Sequence, residues 1–438
     1  MTEENAKLLA IVQDGAVPAG YTKVWHLMPE EWKDVPLSYI FTKKNQKNKG
    51  NSVKTVFTNS AVNGIIPQSE YFEKDIANSE NTEGYFVVDP LDYVYNPRIS
   101  ENAPYGPFKR NDTGITGIVS PLYTVLTPRK EFCEFEFLHY YLESAQWHKY
   151  AYSIANYGAR FDRMNITDDE LMRLPIAWPS LAEQERIAEI LMQCDKIIEL
   201  KQKRIAEEKK KKEALIHRLL RTSKEALHDS SLAVGKEGTL KDAVSYIESG
   251  TSVNSIDKAA EYVSEKRYVL KTSAIFEGAF LLEESKEVVA EDYYRVSCPI
   301  EANTLLVSRM NTPKLVGACA LCDVTLPNVF LPDRLWKVVL KKNVDPRWLN
   351  YVISSESSQR SIRRKAGGTS NSMKNISQKD FLDIPIVLPS YDEQVSIANI
   401  IAAVDEVIKK LYEEIGMWGN KKRALMQMLL TGIVRVKV

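Results

Sequence analysis

No run of about 18 apolar residues occurs anywhere in this 438-residue chain, so no segment is suited to cross a bilayer as a helix. The opening MTEENAKLL lacks the cationic-then-apolar form of a signal peptide. Neither common Gly-rich phosphate loop is present, nor an Asn-Pro-Pro-Tyr/Phe tetrapeptide or Phe-x-Gly-x-Gly loop for methyl transfer. Pro332-Asp333 is not followed by acid-x-Lys, which removes the common nuclease signature. The histidines, 26, 139, 148, 217 and 228, show no metal-ligand spacing. An odd five cysteines, 133, 194, 298, 319 and 322, argue for reduced thiols and a cytoplasmic protein. Cys319 and Cys322 form one CxxC with no second pair, which reads as two small residues in a buried strand. With 58 basic and 58 acidic residues the net charge is zero, which excludes a uniformly basic surface but not a polarised one. No catalytic, cofactor or metal residues are expected.

What the chain does have is a repeat. Residues 165–222 align without a gap on 375–432 at an offset of 210, with 20 of 58 positions identical. The best-matched stretch reads LPIAWPSLAEQERIAEIL in the first copy and IPIVLPSYDEQVSIANII in the second, and both copies end in KK-x-AL-x-x-x-LL. Ser180 with Glu183, and Ser390 with Glu393, have the spacing of a helix-opening capping box. Apolar residues then recur at helical spacing: Ile187, Ile190, Leu191, Cys194, Ile197 and Ile198, and Ile397, Ile400, Ile401, Val404, Val407, Ile408 and Leu411. About 38 residues at ~1.5 Å each make a rod of roughly 57 Å.

Upstream of each helix the pattern is mixed. Strand-like runs (SVKTVFT, GYFVVD, TGIVSPLYTVL, EANTLLVS, RLWKVVL) alternate with loops, and short helices are expected over 135–147 and 348–362. The fold class is α+β: two tandem mixed domains joined by two long antiparallel helices and related by a pseudo-two-fold axis. The expected boundaries are 1–180 for the first domain, 181–222 for the first helix and 223–238 for a linker. The second domain takes 239–390, the second helix 391–431 and a tail 432–438. The second helix can bury its stripe only on the first, so a caliper follows.

Duplex DNA is pseudo-two-fold symmetric and suits such a caliper. Lys43, Lys44, Lys47, Lys49 and Lys54 lie in an acid-free loop of the first domain. Arg360, Arg363, Arg364, Lys365 and Lys374 flank Gly-Gly-Thr-Ser-Asn-Ser in the second, again without an acid. Such clusters suit phosphate contacts, the alternative being solvated loops. The run KQKRIAEEKKKK reads as a solvated or partner-facing helix surface.

The twice-occurring (L/I)-P-I-x-x-P-S-x-x-E-Q (174–184 and 384–394) and the long helix after each resemble the specificity subunits of type I restriction-modification enzymes. So do the segments 157–164 and 367–373, and Pro29-x-x-Trp32 followed by Val35-Pro36-Leu37. The resemblance covers essentially the whole chain. It implies two target-recognition domains, each reading half of a split site in double-stranded DNA, with the helices setting the spacer. It implies two methyltransferase subunits carrying S-adenosylmethionine and modifying adenine N6, and ATP- and Mg-dependent restriction subunits, so the chain itself is not an enzyme. Gly158-Ala159-Arg160 departs from the usual glycine-threonine pattern, which leaves the local DNA contact there in doubt. Matched strand ends offer Tyr95, Asn96 and Arg98 in one domain and Ser308, Arg309 and Asn311 in the other, joined by Arg160 and Arg163. Arg on guanine and Asn on adenine are the expected major-groove pairs, the alternative being turns that cap backbone. Two rival readings are a self-sufficient methyltransferase or endonuclease, which the missing motifs disfavour, and a helical scaffold without DNA readout.

Overall fold

The computed structural model describes residues 17, 19–23, 25–71, 82–129, 134–157, 163–220, 235–261, 265–276, 278–368 and 373–437. Two compact units result: residues 1–202 with 413–438, and residues 203–412.

Each unit is built on a four-stranded antiparallel sheet with the same strand order. In the first unit the order is Phe41–Lys43, Thr124–Pro128, Tyr93–Tyr95, Phe108–Arg110. In the second it is Val244–Ser249, Leu335–Leu340, Thr304–Ser308, Cys319–Cys322. Their alternation buries one face against helices, with Tyr93, Phe41 and Phe137 fully buried in the first unit and Trp336, Trp348 and Phe381 in the second. The second unit adds a five-stranded sheet in which Tyr268–Leu270 runs parallel to Leu326–Phe330. Cys319 joins the core on one side of its strand and Cys322 the core on the other. Residues three apart on a strand face opposite ways, so this CxxC cannot chelate a single ion.

A short strand closes each domain onto the segment that enters its long helix. Lys33–Pro36 pairs with Pro175–Trp178, and Lys236–Thr239 with Pro385–Leu388. The end of the expected linker is therefore a strand of the second domain, while residues 221–234 lie outside those described. The short helices are each broken in two: Phe135–Glu143 and His148–Ile154, and Pro346–Ser354 and Glu356–Lys365. Ser355 makes the second break by capping the following helix through the Ser358 N–H.

The long helices span Leu181–Leu219 and Tyr391–Leu429. Ser390 and Glu393 form the full reciprocal capping box. At the first helix Ser180 still accepts from the Glu183 N–H, but the Glu183 carboxylate accepts instead from the Trp32 indole (3.1 Å) and from Arg435 (2.8 Å). The expected tail is thereby fixed to the first unit. The motif glutamines are structural clips. Gln184 accepts from the Glu134 N–H (3.1 Å) and donates to the Pro179 carbonyl (3.0 Å). Gln394 does the same with Asp345 (2.9 Å) and Pro389 (3.0 Å). Glu134 and Asp345 each cap the helix packed beside them, so one side chain ties two helix starts together.

The apolar stripe is shared differently from the expectation. Ile187, Ala188 and Leu191 enter the core of the first domain, where Leu429 and Leu430 from the end of the second helix join them. Ile397, Ala398 and Ile401 enter the core of the second domain with Ile216, Leu219 and Leu220 from the end of the first. Ile400 and Val407 are exposed. Each domain thus takes the start of its own helix and the end of the other, as antiparallel helices require.

Candidate nucleic-acid interface

In the first domain the central strand Tyr93–Tyr95 runs into Asn96, Pro97 and Arg98. Tyr95 is 2% exposed and its hydroxyl donates to the Tyr105 carbonyl (2.9 Å). Burial pushes its phenol far above the ordinary value. Asn96 is buried too; its side chain accepts from the Arg98 N–H (3.0 Å) and donates to the Asn59 carbonyl (3.3 Å). Both expectations are corrected: Tyr95 is core and Asn96 holds the turn, because this strand is covered on both faces, with Tyr93 and Tyr95 in one core and Val94 in the other. Arg98 emerges exposed, and a bridge sets it directly opposite Arg163, with Met164 N–H donating to the Pro97 carbonyl (3.0 Å). The structure thus brings these two sequence-named arginines together. Tyr123, missed by sequence reasoning, lies with them: burial raises its phenol and Arg98 and Arg163 pull it down. Its only sequence signal was the Ser-Pro-Leu-Tyr turn before a strand.

In the second domain Ser308 is 0% exposed and accepts from the Asn311 amide (3.2 Å), so it is a turn anchor and not a base reader. Asn311 also accepts from the Thr312 N–H (2.8 Å). Arg309 is half-buried, and its Nε is buried with no hydrogen-bond partner among the described residues. The Ile376 N–H donates to the Arg309 carbonyl (3.0 Å), and Asn311 pairs with Lys374 across adjacent strands. Arg309, Asn311 and Lys374 therefore share one strand end, the counterpart of Arg98 with Arg163. The Lys374 ammonium donates to the Gly368 carbonyl (3.1 Å).

The basic clusters divide. Lys43 is paired with Asp168, and Lys44 with Asp89 (2.6 Å) and Asp92 (2.7 Å). Burial alone would lower the Lys44 pKa, but these carboxylates hold it above the ordinary lysine value. The loop lacks acids only locally, and the fold supplies them, which corrects these two as phosphate contacts. Lys47 and Lys49 are exposed, with no ion pair among the described residues. Arg363 (2.7 Å) and Arg360 (3.6 Å) share Glu356, at the start of the same helix, so this cluster is not acid-free either. Arg364 is exposed. Arg160 lies outside the described residues. No helix among those described is long and apolar enough to cross a membrane.

Comparison with known proteins places this arrangement. Residues 29–209 and 244–417 match the family described as type I restriction modification DNA specificity domain. The chain belongs to that family, with the domain present twice. A curated relative, the type I restriction enzyme MjaVIII specificity subunit of Methanocaldococcus jannaschii, is 26% identical over 282 residues. That match covers 61% of this chain and 63% of the relative, so the chain spans a little under two thirds of its length. A chain in a structure on complex assembly and conformational transition of the type I R-M system superposes with TM-score 0.58 at 13% identity, over 93% of this chain and 99% of that one. The type I restriction-modification S subunit from M. genitalium gives 0.50 at 15% identity, over 91% and 96%. These likenesses establish a shared fold.

Proposed function

We propose that this chain is the DNA sequence-recognition subunit of a type I restriction-modification complex and performs no chemistry itself. Each recognition domain reads one half of a bipartite target in duplex DNA, and the helices set the spacer. Two copies of a DNA adenine methyltransferase subunit dock on it, with restriction subunits joining them in the cytoplasm. S-adenosylmethionine, ATP and Mg belong to those partners.

The observation carrying this reading is the repeated strand end. In both domains basic side chains converge where the central strand meets the segment before the repeat: Arg98 and Arg163 in one, Arg309 and Lys374 in the other. Guanidinium and ammonium groups so placed serve base edges and phosphates. The family membership supplies the class of target. The test is co-expression with a type I DNA adenine methyltransferase subunit from the same source, followed by mapping of N6-methyladenine. A split, non-palindromic motif is expected; no retardation of any duplex by the complex would contradict the reading in favour of a scaffold.

A further inference from the structure

We propose that Arg309 and Arg334 together seat one phosphate of the DNA backbone against the second domain. This inference rests on the reading of the chain as a DNA-specificity subunit, and it replaces the guanine contact expected of Arg309.

The two residues meet at the end of the central sheet. Ser308 stands opposite Leu335 in the antiparallel ladder, and the Arg309 N–H donates to the Arg334 carbonyl (3.0 Å). Backbones bonded in this way hold their Cα atoms about 5.5 Å apart. Arg309 has the phase of Leu305 and Val307, and Arg334 that of Trp336 and Val338, all four in the core shared with the helices. Both arginines therefore leave the sheet on its helix side, just beyond the end of that core.

Neither guanidinium is used by the fold. Arg334 is exposed and Arg309 half-buried, and neither has a carboxylate partner among the described residues. The Arg309 Nε is buried with no acceptor among them. Like charges facing each other across strands are destabilising, so the pair calls for an external anion. The polar groups beside them are already satisfied: the Asn311 amide donates to Ser308 (3.2 Å), and the Lys374 ammonium to the Gly368 carbonyl (3.1 Å). Several other arginines of this domain are met by a carboxylate, Arg295 by Asp292 (3.0 Å), Arg347 by Asp345 (3.2 Å) and Arg363 by Glu356 (2.7 Å).

The number of donors decides between phosphate and base. A guanine edge offers the acceptors O6 and N7, and a single guanidinium fills both. A second arginine beside it would keep a positive neighbour and gain no acceptor. A phosphodiester carries a full negative charge on oxygens with several lone pairs, which two guanidinium forks can share. One such group neutralises the repulsion between Arg309 and Arg334 and gives both their acceptors.

The experiment uses the full chain co-expressed with its methyltransferase. It measures duplex affinity against salt concentration and sequences the duplexes selected from a randomised library. Arg309→Gln and Arg334→Gln should each flatten the salt dependence by about 0.9 log units of slope, the value of one phosphate contact. The double variant should flatten it by the same amount and not by about twice as much, because the contact is shared. The selected motif stays unchanged in all three. Arg309→Lys keeps the charge and should keep most of the slope, which separates a lost contact from a damaged fold. An unchanged slope overturns the proposal; if methyltransferase assembly weakens instead, the pair meets a protein carboxylate. Additive losses in the double variant overturn the shared seat, and relaxation of a motif position overturns it in favour of base contact. If the unsubstituted complex binds no duplex, the specificity-subunit reading fails and takes this inference with it.

Discussion

Lys422 donates to both carboxylate oxygens of Asp195, each at 2.7 Å. Its counterpart 210 residues earlier, Lys212, lies 2.6 Å from Asp405, itself 210 residues after Asp195. In each pair the lysine comes from one long helix and the aspartate from the other. A tyrosine completes both sets: Tyr140 donates to Asp195 (2.6 Å) beneath the Lys422 ammonium, and Tyr351 to Asp405 (2.8 Å) beneath Lys212. The duplication is thus written in reciprocal bonds inside each unit. Part of the lysine-rich run expected as a solvated surface is interhelical glue.

In each set the half-buried aspartate takes both a lysine and a tyrosine, which places it above an exposed ion pair. A double-mutant cycle on Asp195→Asn and Lys422→Met should give a coupling of about 1 kcal/mol, and Asp405→Asn with Lys212→Met a matching value. Burial and the facing carboxylates hold both phenols protonated, so the coupling should not change between pH 7 and 9. Thermal unfolding of the four variants at both pH values checks this.

Gln184 and Gln394 are each 1% exposed and join two helix starts. Gln184→Leu should cost about 2–4 kcal/mol, because it strands a buried N–H and a buried carbonyl. Gln394→Leu should cost the same in its own domain. Limited proteolysis should show faster cleavage in the domain carrying the substitution.

Lys44 and Lys47 should respond in opposite ways. Lys44→Ala leaves Asp89 and Asp92 without their cation, so thermal stability should fall. Lys47→Ala with Lys49→Ala should leave stability unchanged and flatten the salt dependence of DNA binding, by about 0.9 log units of slope per lost phosphate contact. An unchanged slope would remove the loop from the DNA interface.

Much of this was legible in the sequence because its signals are local. The gapless 210-residue offset marked the duplication, and the Ser-x-x-Glu spacing marked both helix starts. The failures were non-local. Asp168, Asp89 and Asp92 lie far along the chain from Lys43 and Lys44, so no window around the loop reveals them. Tyr95 and Ser308 end strands whose inward phase is set by the sheet and not by residue type. Glu183 shows the same limit, since its capping role is shared with Trp32 and Arg435 from distant segments.

His26 should make the first domain acid-sensitive. Burial lowers its pKa from 6.5 to about 4, and its Nδ1 has no hydrogen-bond partner among the described residues. The folded form therefore keeps the ring neutral, while the unfolded chain binds a proton below pH 6.5. Stability should be unaffected above that pH and fall through the window from 6.5 to 4, by about 3 kcal/mol in all. His26→Gln should lose that part of the slope when unfolding is followed against pH.

The most direct test of the duplicated architecture is the fragment of residues 1–231, which carries the first domain and the first long helix alone. In the full chain the core of this domain is completed by Leu429 and Leu430. The fragment carries their counterparts, Leu219 and Leu220, at the end of its own helix. Two fragments can exchange those ends, each recovering roughly 1.5–3 kcal/mol per buried aliphatic side chain. The measurement is its mass in solution, with the motif it methylates beside the methyltransferase. A homodimer that modifies a palindrome built from the first half-site is the predicted result; a well-folded monomer would contradict the shared helix core and the account built on it.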